Sequence, residues 1–486
     1  MKFLSGAWRK HSYVLGLGCI LCTVLVLSLY SSQHPFSSTP QSRQDASGLD
    51  YQFAHKFVYF YYYTGQFPLA TLNEEAVATE EGAQAEIEQR GSSLIMEYGH
   101  WSRLGESARI WTFLPDAWVF GKIKKPSVRL FNILIFTLGL LSLFHGLYRL
   151  GYKKMAWILM LLLLSLPFFH YEVFSRENIF ALQASVFCLI TGILFSVFYS
   201  KSTHLKLIFG FLLVAACLSV AAEIRNENLV LLFSAILLIW GASTRRWTVR
   251  LAASLVVVVL FFSGRWLIRS YFQHRFNSTY ALVEKQGGHV YQGPRISGHQ
   301  FWHPVFCGLG DFDTKYGYRW SDTTAYNYAI APLRRQGIDW PYSGKLHFDA
   351  WYDSAHRYYI KFDEVPMYEE VVKEKVLSDI RQDPWWYLGI LSQRVFRILH
   401  SCLPFANAGF IVFPVLIVLI RQKKWTLLYW VMASAVPCGL ALLIYAKDGA
   451  TLTSLYAVIA LAIFLSMVLD AVARRWKRDT PARHLQ

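Results

Sequence analysis

Residues 204–242 read HLKLIFGFLLVAACLSVAAEIRNENLVLLFSAILLIWGA, two apolar runs on either side of one short polar turn. A helix needs about 20 mostly apolar residues to cross roughly 30 Å of hydrocarbon at about 1.5 Å per residue. The first run, 204–222, has that length, and the second, 228–242, is somewhat shorter. The stretch therefore predicts two membrane-spanning helices joined by a tight turn.

The same pattern recurs along the whole chain, which has 486 residues, 54% of them hydrophobic and 16% charged. Because the apolar residues fall in blocks, this composition excludes an ordinary soluble enzyme. We predict an all-α polytopic membrane protein with about ten transmembrane helices. The predicted spans are 13–31, 128–148, 155–172, 179–199, 204–222, 228–242, 248–266, 407–420, 425–445 and 450–470.

Basic residues fall in every second connection between the predicted spans and in both terminal segments. These segments carry 19 basic residues and one acid, a net charge of +18 against +16 for the whole chain. Since lysine and arginine are retained on the cytoplasmic side during insertion, we expect both termini of this integral membrane protein in the cytoplasm. We interpret the basic balance as a topology signal and expect no nucleic-acid binding. The basic residues are Lys2, Arg9, Lys10, Arg149, Lys153, Lys154, Lys201, Lys206, Arg245, Arg246, Arg250, Arg421, Lys423, Lys424, Arg474, Arg475, Lys477, Arg478 and Arg483.

The predicted spans divide the chain into five parts. Residues 1–31 form a cytoplasmic tail and the first helix, 32–127 a first exterior loop, 128–266 helices two to seven, 267–406 a larger second exterior loop, and 407–486 the last three helices and a basic tail. Both exterior loops are rich in aromatic residues, which is typical of surfaces at the membrane interface. We therefore expect membrane-parallel helices in both loops.

The end of the second loop has the clearest interfacial pattern. Residues 383–398 mix aromatic and aliphatic residues with Arg394 and Arg397, which predicts an amphipathic helix in the membrane plane.

Five of the seven cysteines lie inside predicted spans, where cysteine behaves as a small hydrophobic residue. Only Cys307 and Cys402 could meet an oxidising exterior.

Two short exterior turns resemble each other: residues 172–178 read EVFSREN and residues 223–228 read EIRNEN. Ionisable groups at that depth are costly unless they pair or face a cavity. One interpretation is Arg–Glu pairing, with Asn178 and Asn228 as N-caps of the helices that follow. The other is that both turns line a polar cavity at the exterior membrane face. The two interpretations are compatible, and both stay open.

The start of the first exterior loop carries a resemblance to a known family. Asp50 follows the first span and precedes the aromatic stretch Tyr59 to Tyr63 and the sequence Gly-Gln-Phe-Pro. This pattern resembles the GT-C superfamily of polyprenyl-phosphate-sugar-dependent glycosyltransferases, such as protein O-mannosyltransferases and lipid A aminoarabinose transferases. The loop plan is similar as well, with large loops after spans one and seven.

The resemblance implies a membrane glycosyltransferase of the cell envelope, located in a bacterial inner membrane. Its donor would be a lipid-linked sugar, and its acceptor a hydroxyl of a glycan, a lipid or a protein. Asp50 matches the position of the family's catalytic acid, although Tyr51 replaces the acid of the common Asp-Glu pair. A second catalytic acid would come from the turn between spans three and four, as Glu172 or Glu177.

Such a transfer needs cationic groups for the departing phosphate, and guanidinium binds phosphate bidentately. The candidates are Arg176, Arg225, Arg265, Arg269 and Arg319. Displacement from the face opposite the phosphate would invert the anomeric centre. A divalent metal ion could serve the same purpose, and whether one is needed stays open.

The segment from His299 to Asp322 is dense in polar and aromatic residues. His303, Asp311 and Arg319 could converge around a bound group, and Gly308 and Gly310 permit close backbone approach. We expect a turn at Trp302-His303-Pro304, and we discount Asp311-Phe-Asp313 as a metal motif of nucleotide-sugar enzymes because short Asp-x-Asp strings are common.

Three other functions stay open. A lipid-linked polysaccharide ligase or polymerase would use similar exterior chemistry. A transporter would place polar groups near the middle of its spans, whereas these spans are nearly free of charge. The third alternative is a non-catalytic membrane scaffold.

Overall fold

The computed structural model describes two-thirds of the chain. The described residues are 2–33, 81, 82, 85, 107–112, 114–120, 130–166, 173, 181–200, 202–285, 301–338, 351–352, 358–359, 367–400, 407–444 and 454–479. These residues are almost entirely helical, with one pairing of two-residue strands, Trp351–Tyr352 and Tyr358–Tyr359.

Helices occur at every predicted span. They are α1 (Lys2–Gln33), α2 (Leu114–Phe120), α3 (Leu130–Arg149), α4 (Lys153–Ser165), α5 (Ala181–Val197), α6 (His204–Ile224), α7 (Val230–Trp240), α8 (Trp247–Lys285), α9 (Trp302–Leu309), α10 (Asp322–Arg335), α11 (Tyr368–Gln382), α12 (Pro384–His400), α13 (Val412–Arg421), α14 (Trp425–Ala435), α15 (Cys438–Leu443) and α16 (Leu455–Asp479). Short 3-10 helices lie at Ser107–Thr112, Asn226–Leu229, Lys315–Gly317 and Ala408–Ile411.

Five of the described helices are long and apolar enough to cross a membrane. The qualifying segments are His11–Tyr30, Leu130–Arg149, His204–Ile224, Trp247–Arg275 and Leu455–Trp476. Gln183–Val197, Asn226–Trp240 and Ala408–Arg421 are apolar but shorter. The predicted single helix over 425–445 is wrong: α14 ends at Ala435 and α15 begins at Cys438, beside Pro437. Proline removes a backbone donor and clashes with the preceding turn, which accounts for the break.

Small residues allow α3 and α5 to pack closely. A Cβ atom on Gly192 would clash with the backbone of Ser142, and one on Gly146 would meet Gly192. Farther along the same interface, a Cβ on Gly139 would meet the Ser185 carbonyl oxygen at 2.6 Å. Residue numbers rise together on both helices, so α3 and α5 are parallel. Small residues are common where helix backbones approach in membrane proteins.

The pairing of helix ends gives the direction of several other helices. Ser219 of α6 donates to the Phe261 carbonyl oxygen of α8 at 2.9 Å, and Glu223 of α6 contacts Arg265 of α8. The helices α6 and α8 are therefore parallel. In contrast, Lys154 at the start of α4 pairs with Asp470 near the end of α16 at 2.6 Å, so these two helices are antiparallel.

A second, smaller core lies within the segment predicted as the second exterior loop. It joins α9, α10, α11 and α12 around buried side chains that include Phe306, Tyr318 and Val372. The preceding helix, α8, has 39 residues and a length of about 58 Å, well beyond the hydrocarbon thickness. The α8 helix therefore extends beyond its apolar segment into the following polar part of the chain.

The amphipathic helix predicted over 383–398 is present as α12, but one of its arginines is not on the polar surface. Trp385 and Phe396 are exposed. Arg394 is fully buried, where it donates to the carbonyl oxygens of Gly308 (2.6 Å) and Leu442 (2.9 Å). Burial lowers the pKa of Arg394 below its ordinary value, and Asp311 opposes this shift. Arg394 therefore joins the second core to the helical bundle.

Candidate functional site

A buried carboxylate at the end of α6 binds two guanidinium groups of α8. One oxygen of Glu223, whose side chain is 1% exposed, accepts from Nε of Arg265 at 2.5 Å and from Nε of Arg269 at 2.9 Å. The two arginines are four residues apart and so lie on one face of α8. Burying a carboxylate without a partner is costly, so this double pairing explains how Glu223 is tolerated there.

The EIRNEN turn adds a second ion pair beside the first. Arg225 donates to Glu227 at 2.7 Å, and both side chains are largely buried. Gln183, near the start of α5, donates to the Glu227 carbonyl oxygen at 3.3 Å. We call Gln183, Glu223, Arg225, Glu227, Arg265 and Arg269 the Glu223 cluster. Its three arginines and two glutamates give a net charge of +1.

The predicted Arg–Glu pairing is confirmed in this turn, whereas the predicted capping role of Asn228 is wrong. The Asn228 side chain donates to the Ala221 carbonyl oxygen at 2.9 Å and so satisfies the end of α6. It does not cap the start of α7, because a 3-10 turn lies between the two helices. Asn178, in the matching turn, lies outside the described residues.

Arg265 and Arg269 of α8 have terminal N–H donors that could bind a ligand. Among the described residues, the terminal nitrogens of Arg265 and Arg269 donate no hydrogen bond to protein. Arg269 is the more accessible, with 39% of its side chain exposed against 11% for Arg265. Terminal guanidinium nitrogens are suited to a phosphate or carboxylate.

An apolar groove runs between α3, α5 and α6 and reaches the last turn of α6. Its volume is about 190 Å³, and it is lined by Phe131, Ile135, Val186, Leu189, Ala216, Cys217, Val220, Ala221 and Ile224. All nine lining residues are apolar. Ala221 and Ile224 belong to the same last turn of α6 as Glu223, whose side chain contacts α8.

The segment before α3 packs against the same ends of the helices. Trp111 contacts Phe272 of α8, with ring centroids 5.2 Å apart. Asp116 is buried and accepts from the Leu130 backbone nitrogen at the start of α3. In the first turn of α3, Asn132 is 2% exposed, and its amide has no hydrogen-bond partner among the described residues.

His303, Asp311 and Arg319 occupy separate environments. His303 lies in α9 and contacts Tyr368 and Asp322, so the predicted turn at Trp302-His303-Pro304 is wrong. Proline is accommodated there because it falls in the first turn of a helix. Asp311 has a fully buried side chain 3.8 Å from Arg394, and Arg319 is exposed.

The Asp311-Phe-Asp313 string holds two carboxylates with different partners. Asp311 faces Arg394, whereas Asp313 accepts from the Trp386 indole nitrogen at 3.0 Å. The two acids therefore have separate structural partners. Gly308 and Gly310 do permit close approach: a Cβ would clash with the Ile444 carbonyl at Gly308 and with the Arg319 backbone at Gly310.

Four predicted site residues, Asp50, Glu172, Arg176 and Glu177, lie outside the described residues. Glu223, Glu227, Gln183 and Asn132 are additions that we did not predict as site residues. A signal for Glu223 was available, because a lone acid near the end of an apolar run requires a cation. Arg265 and Arg269, four residues apart, are such cations, but their pairing with α6 depends on the packing of two helices.

Comparison of the chain with protein-family models, with curated proteins and with solved structures found no match. The functional interpretation of the Glu223 cluster and of the groove therefore depends on their geometry alone.

Proposed function

We propose that this protein is a GT-C-like membrane glycosyltransferase that moves a sugar from a polyprenyl-phosphate donor to an acceptor hydroxyl at the exterior membrane face. The observation that carries the proposal is that the last turn of α6 borders an apolar groove and also contacts Arg265 and Arg269 of α8, whose terminal nitrogens donate no hydrogen bond among the described residues. A lipid phosphate needs both features, an apolar surface for its chain and a cation at its head.

The groove suits part of a lipid chain. Its volume of about 190 Å³ is below the range of roughly 300–1,000 Å³ that is usual for a whole drug-sized ligand. It would hold the segment nearest the phosphate, and the rest of the chain would lie in the bilayer. All nine residues that line the groove are apolar, which favours a hydrocarbon over a sugar in this position.

The cluster would stabilise the leaving group. As the bond between the anomeric carbon and the phosphate oxygen breaks, negative charge grows on the phosphate, and Arg269 and Arg265 would bind it. The acceptor oxygen forms the new bond to the anomeric carbon, and a carboxylate takes its proton. Asp50 is our candidate for this base, with Glu172 and Glu177 as alternatives; Arg176, Arg225 and Arg319 are further candidates for binding the sugar phosphate.

The topology that goes with this proposal has ten spans, both termini in the cytoplasm, and an inner-membrane location. Helix directions support it. Parallel α6 and α8 fit a topology in which the chain crosses back between them as α7. Likewise, parallel α3 and α5 fit a crossing by α4.

The experiment is transfer of radiolabelled sugar from polyprenyl phosphate in purified membranes. Arg269→Ala should weaken donor binding about 10- to 100-fold, the loss of one charge-assisted contact of about 1.5–3 kcal/mol. Arg246→Ala is the matched control, because Arg246 is exposed at the opposite end of α8. Asp50→Asn should reduce turnover about 10²- to 10⁴-fold and leave donor binding intact.

Two results would count against the proposal. If the wild-type protein transfers no sugar from any common donor, the transferase function fails and the ligase, transporter and scaffold alternatives gain. If the wild type is active and Arg269→Ala binds the donor normally, the Glu223 cluster is not the phosphate site.

A further inference from the structure

Three side chains with different metal-binding chemistry meet in the second core. Nε2 of His303 lies 3.2 Å from Oδ1 of Asp322, and Sγ of Cys307 lies 3.9 Å from that nitrogen and 3.8 Å from that oxygen. His303 and Cys307 are four residues apart on one face of α9, and Asp322 is the first residue of α10. None of these residues belongs to the Glu223 cluster.

The spacing of the three donor atoms matches a transition-metal ion. A triangle with sides of 3.2, 3.9 and 3.8 Å has a circumscribed radius of about 2.1 Å. Zinc binds histidine nitrogen at about 2.0–2.1 Å, carboxylate oxygen at about 2.0–2.2 Å and cysteine sulfur at about 2.3 Å. An ion slightly outside the plane of the three atoms would thus reach all of them with little movement of the side chains.

The surroundings hold the imidazole in the orientation that a metal requires. Nδ1 of His303 lies 2.6 Å from the hydroxyl oxygen of Tyr368, which is fully buried, and Tyr326 stacks on the ring at 5.2 Å between centroids. When Nδ1 carries the proton and donates it to Tyr368, Nε2 has a lone pair for an ion. A second partner of this kind is usual for metal-binding histidines.

Burial differs among the three side chains in a way that allows an ion to enter. His303 and Cys307 are buried, whereas 53% of the Asp322 side chain is exposed. Asp322 therefore forms the solvent side of the cluster. Three protein ligands leave one position of a tetrahedral ion for water on that side.

We infer that His303, Cys307 and Asp322 form a binding site for a zinc-class divalent ion. On binding, the Cys307 thiol loses its proton to solvent, and the thiolate, the carboxylate and the ion balance in charge. Thiolate and imidazole ligands favour zinc over magnesium or manganese. The ion would join α9 to the start of α10 and so fix the second core, independently of the glycosyltransferase proposal.

The test is metal analysis of the full-length protein purified in detergent. The protein is stripped with a chelator, dialysed against zinc and analysed for bound metal, and we expect about one zinc per chain. Cobalt in place of zinc should give the thiolate-to-cobalt charge-transfer band, which requires a cysteine ligand. Zinc should also raise the thermal unfolding midpoint, because a ligand that binds only the folded state stabilises it.

Substitutions at Cys307, Asp322 and Tyr368 test which side chains bind the ion. Cys307→Ser and Asp322→Asn should each lose most of the bound zinc, and Cys307→Ser should also lose the cobalt band. Tyr368→Phe should weaken zinc binding about 10- to 100-fold. Cys19→Ser is the matched control, because Cys19 is a free, exposed cysteine on α1.

Asp322→Asn keeps the test valid if Cys307→Ser fails to fold, since Asp322 is exposed. The inference is overturned if the wild-type protein retains no zinc and shows no thiolate band with cobalt. It is equally overturned if folded Asp322→Asn and Cys307→Ser bind zinc as tightly as the wild type.

Discussion

Gly308 is the residue at which the second core touches the helical bundle. Any Cβ there would clash with the Ile444 carbonyl oxygen, and Arg394 donates to the Gly308 carbonyl. We expect Gly308→Ala to destabilise the protein by about 1–3 kcal/mol, because the obstacle is backbone and cannot rotate away. Gly389→Ala is the control, since a Cβ at that position in α12 meets nothing within 4 Å. Thermal unfolding in detergent would compare them, and equal midpoints would contradict the close contact.

Tyr318 makes the second core sensitive to alkali. Its hydroxyl donates to Asp379 at 2.8 Å, while Lys375 pairs with Asp379 and lies over the Tyr318 ring. Burial, and then the bond to Asp379, raise the pKa of Tyr318 well above its ordinary value. The folded state therefore holds this proton more tightly than the unfolded state, whose tyrosine titrates near pH 10. The stability that Tyr318 contributes is complete below about pH 10 and falls as the pH rises above it.

Tyr318→Phe separates this effect from other groups that titrate in alkali. The variant should be less stable at neutral pH by about 1.5–3 kcal/mol, because it loses a hydrogen bond to a charged acceptor. It should lose stability less steeply than the wild type above about pH 10. The unfolding midpoints of both proteins, measured from neutral pH to about pH 11, would show this, and parallel curves would contradict it.

The sequence predicts the contacts of some single residues and not those of others. The close approaches at Gly308 and Gly310 were predictable, since glycine has no Cβ atom and so permits close backbone approach. The partners of Arg394 and of His303 were not, because both arise where separate helices meet. The composition of α12 placed Arg394 on its polar face, but carbonyl groups of two distant segments satisfy it inside the core.

At the scale of elements, the close packing of α3 against α5 rests on small residues. Gly192 leaves no room for a Cβ, because the Ser142 backbone occupies that space. We expect Gly192→Ala to separate the helices and lower the unfolding midpoint, since dispersion contacts are a main source of helix association in lipid. Gly18→Ala on α1, where a Cβ meets nothing within 4 Å, should leave the midpoint unchanged. A shift of equal size in both variants would mean that helix propensity, and not packing, is responsible.

The existence of the helices was predictable, but their lengths were less so. Hydrophobicity identifies each apolar run, and a helix lies at each one. Its ends depend on local chemistry: Pro437 breaks the ninth run, and a 3-10 turn at Asn226–Leu229 shortens the sixth. The Glu223 cluster was predictable as two separate charged segments. That these two segments are in contact depends on how α6 and α8 pack against each other, and a hydropathy pattern does not predict this.

For the whole molecule, the number of crossings is the property that most affects function, because it decides which side the second core faces. If only the five long apolar helices crossed, α8 would run opposite to α6, and Arg246 would lie outside. The observed parallel contacts from Ser219 to Phe261 and from Glu223 to Arg265 oppose that arrangement. With ten crossings, Arg246 and the C-terminus lie in the cytoplasm and the second core lies outside.

Single cysteines distinguish the two topologies in sealed cells treated with a membrane-impermeant maleimide. With ten crossings, we expect labelling of Glu81→Cys and Gln336→Cys, and labelling of Lys153→Cys, Arg246→Cys and Thr480→Cys only after the membrane is permeabilised. With five crossings, Gln336→Cys would be protected and both Arg246→Cys and Thr480→Cys would be labelled from outside. Glu81→Cys is accessible in either case and so controls for expression and reagent. Protection of Gln336→Cys would move the second core to the cytoplasm, where a polyprenyl-phosphate donor in the outer leaflet could not reach it.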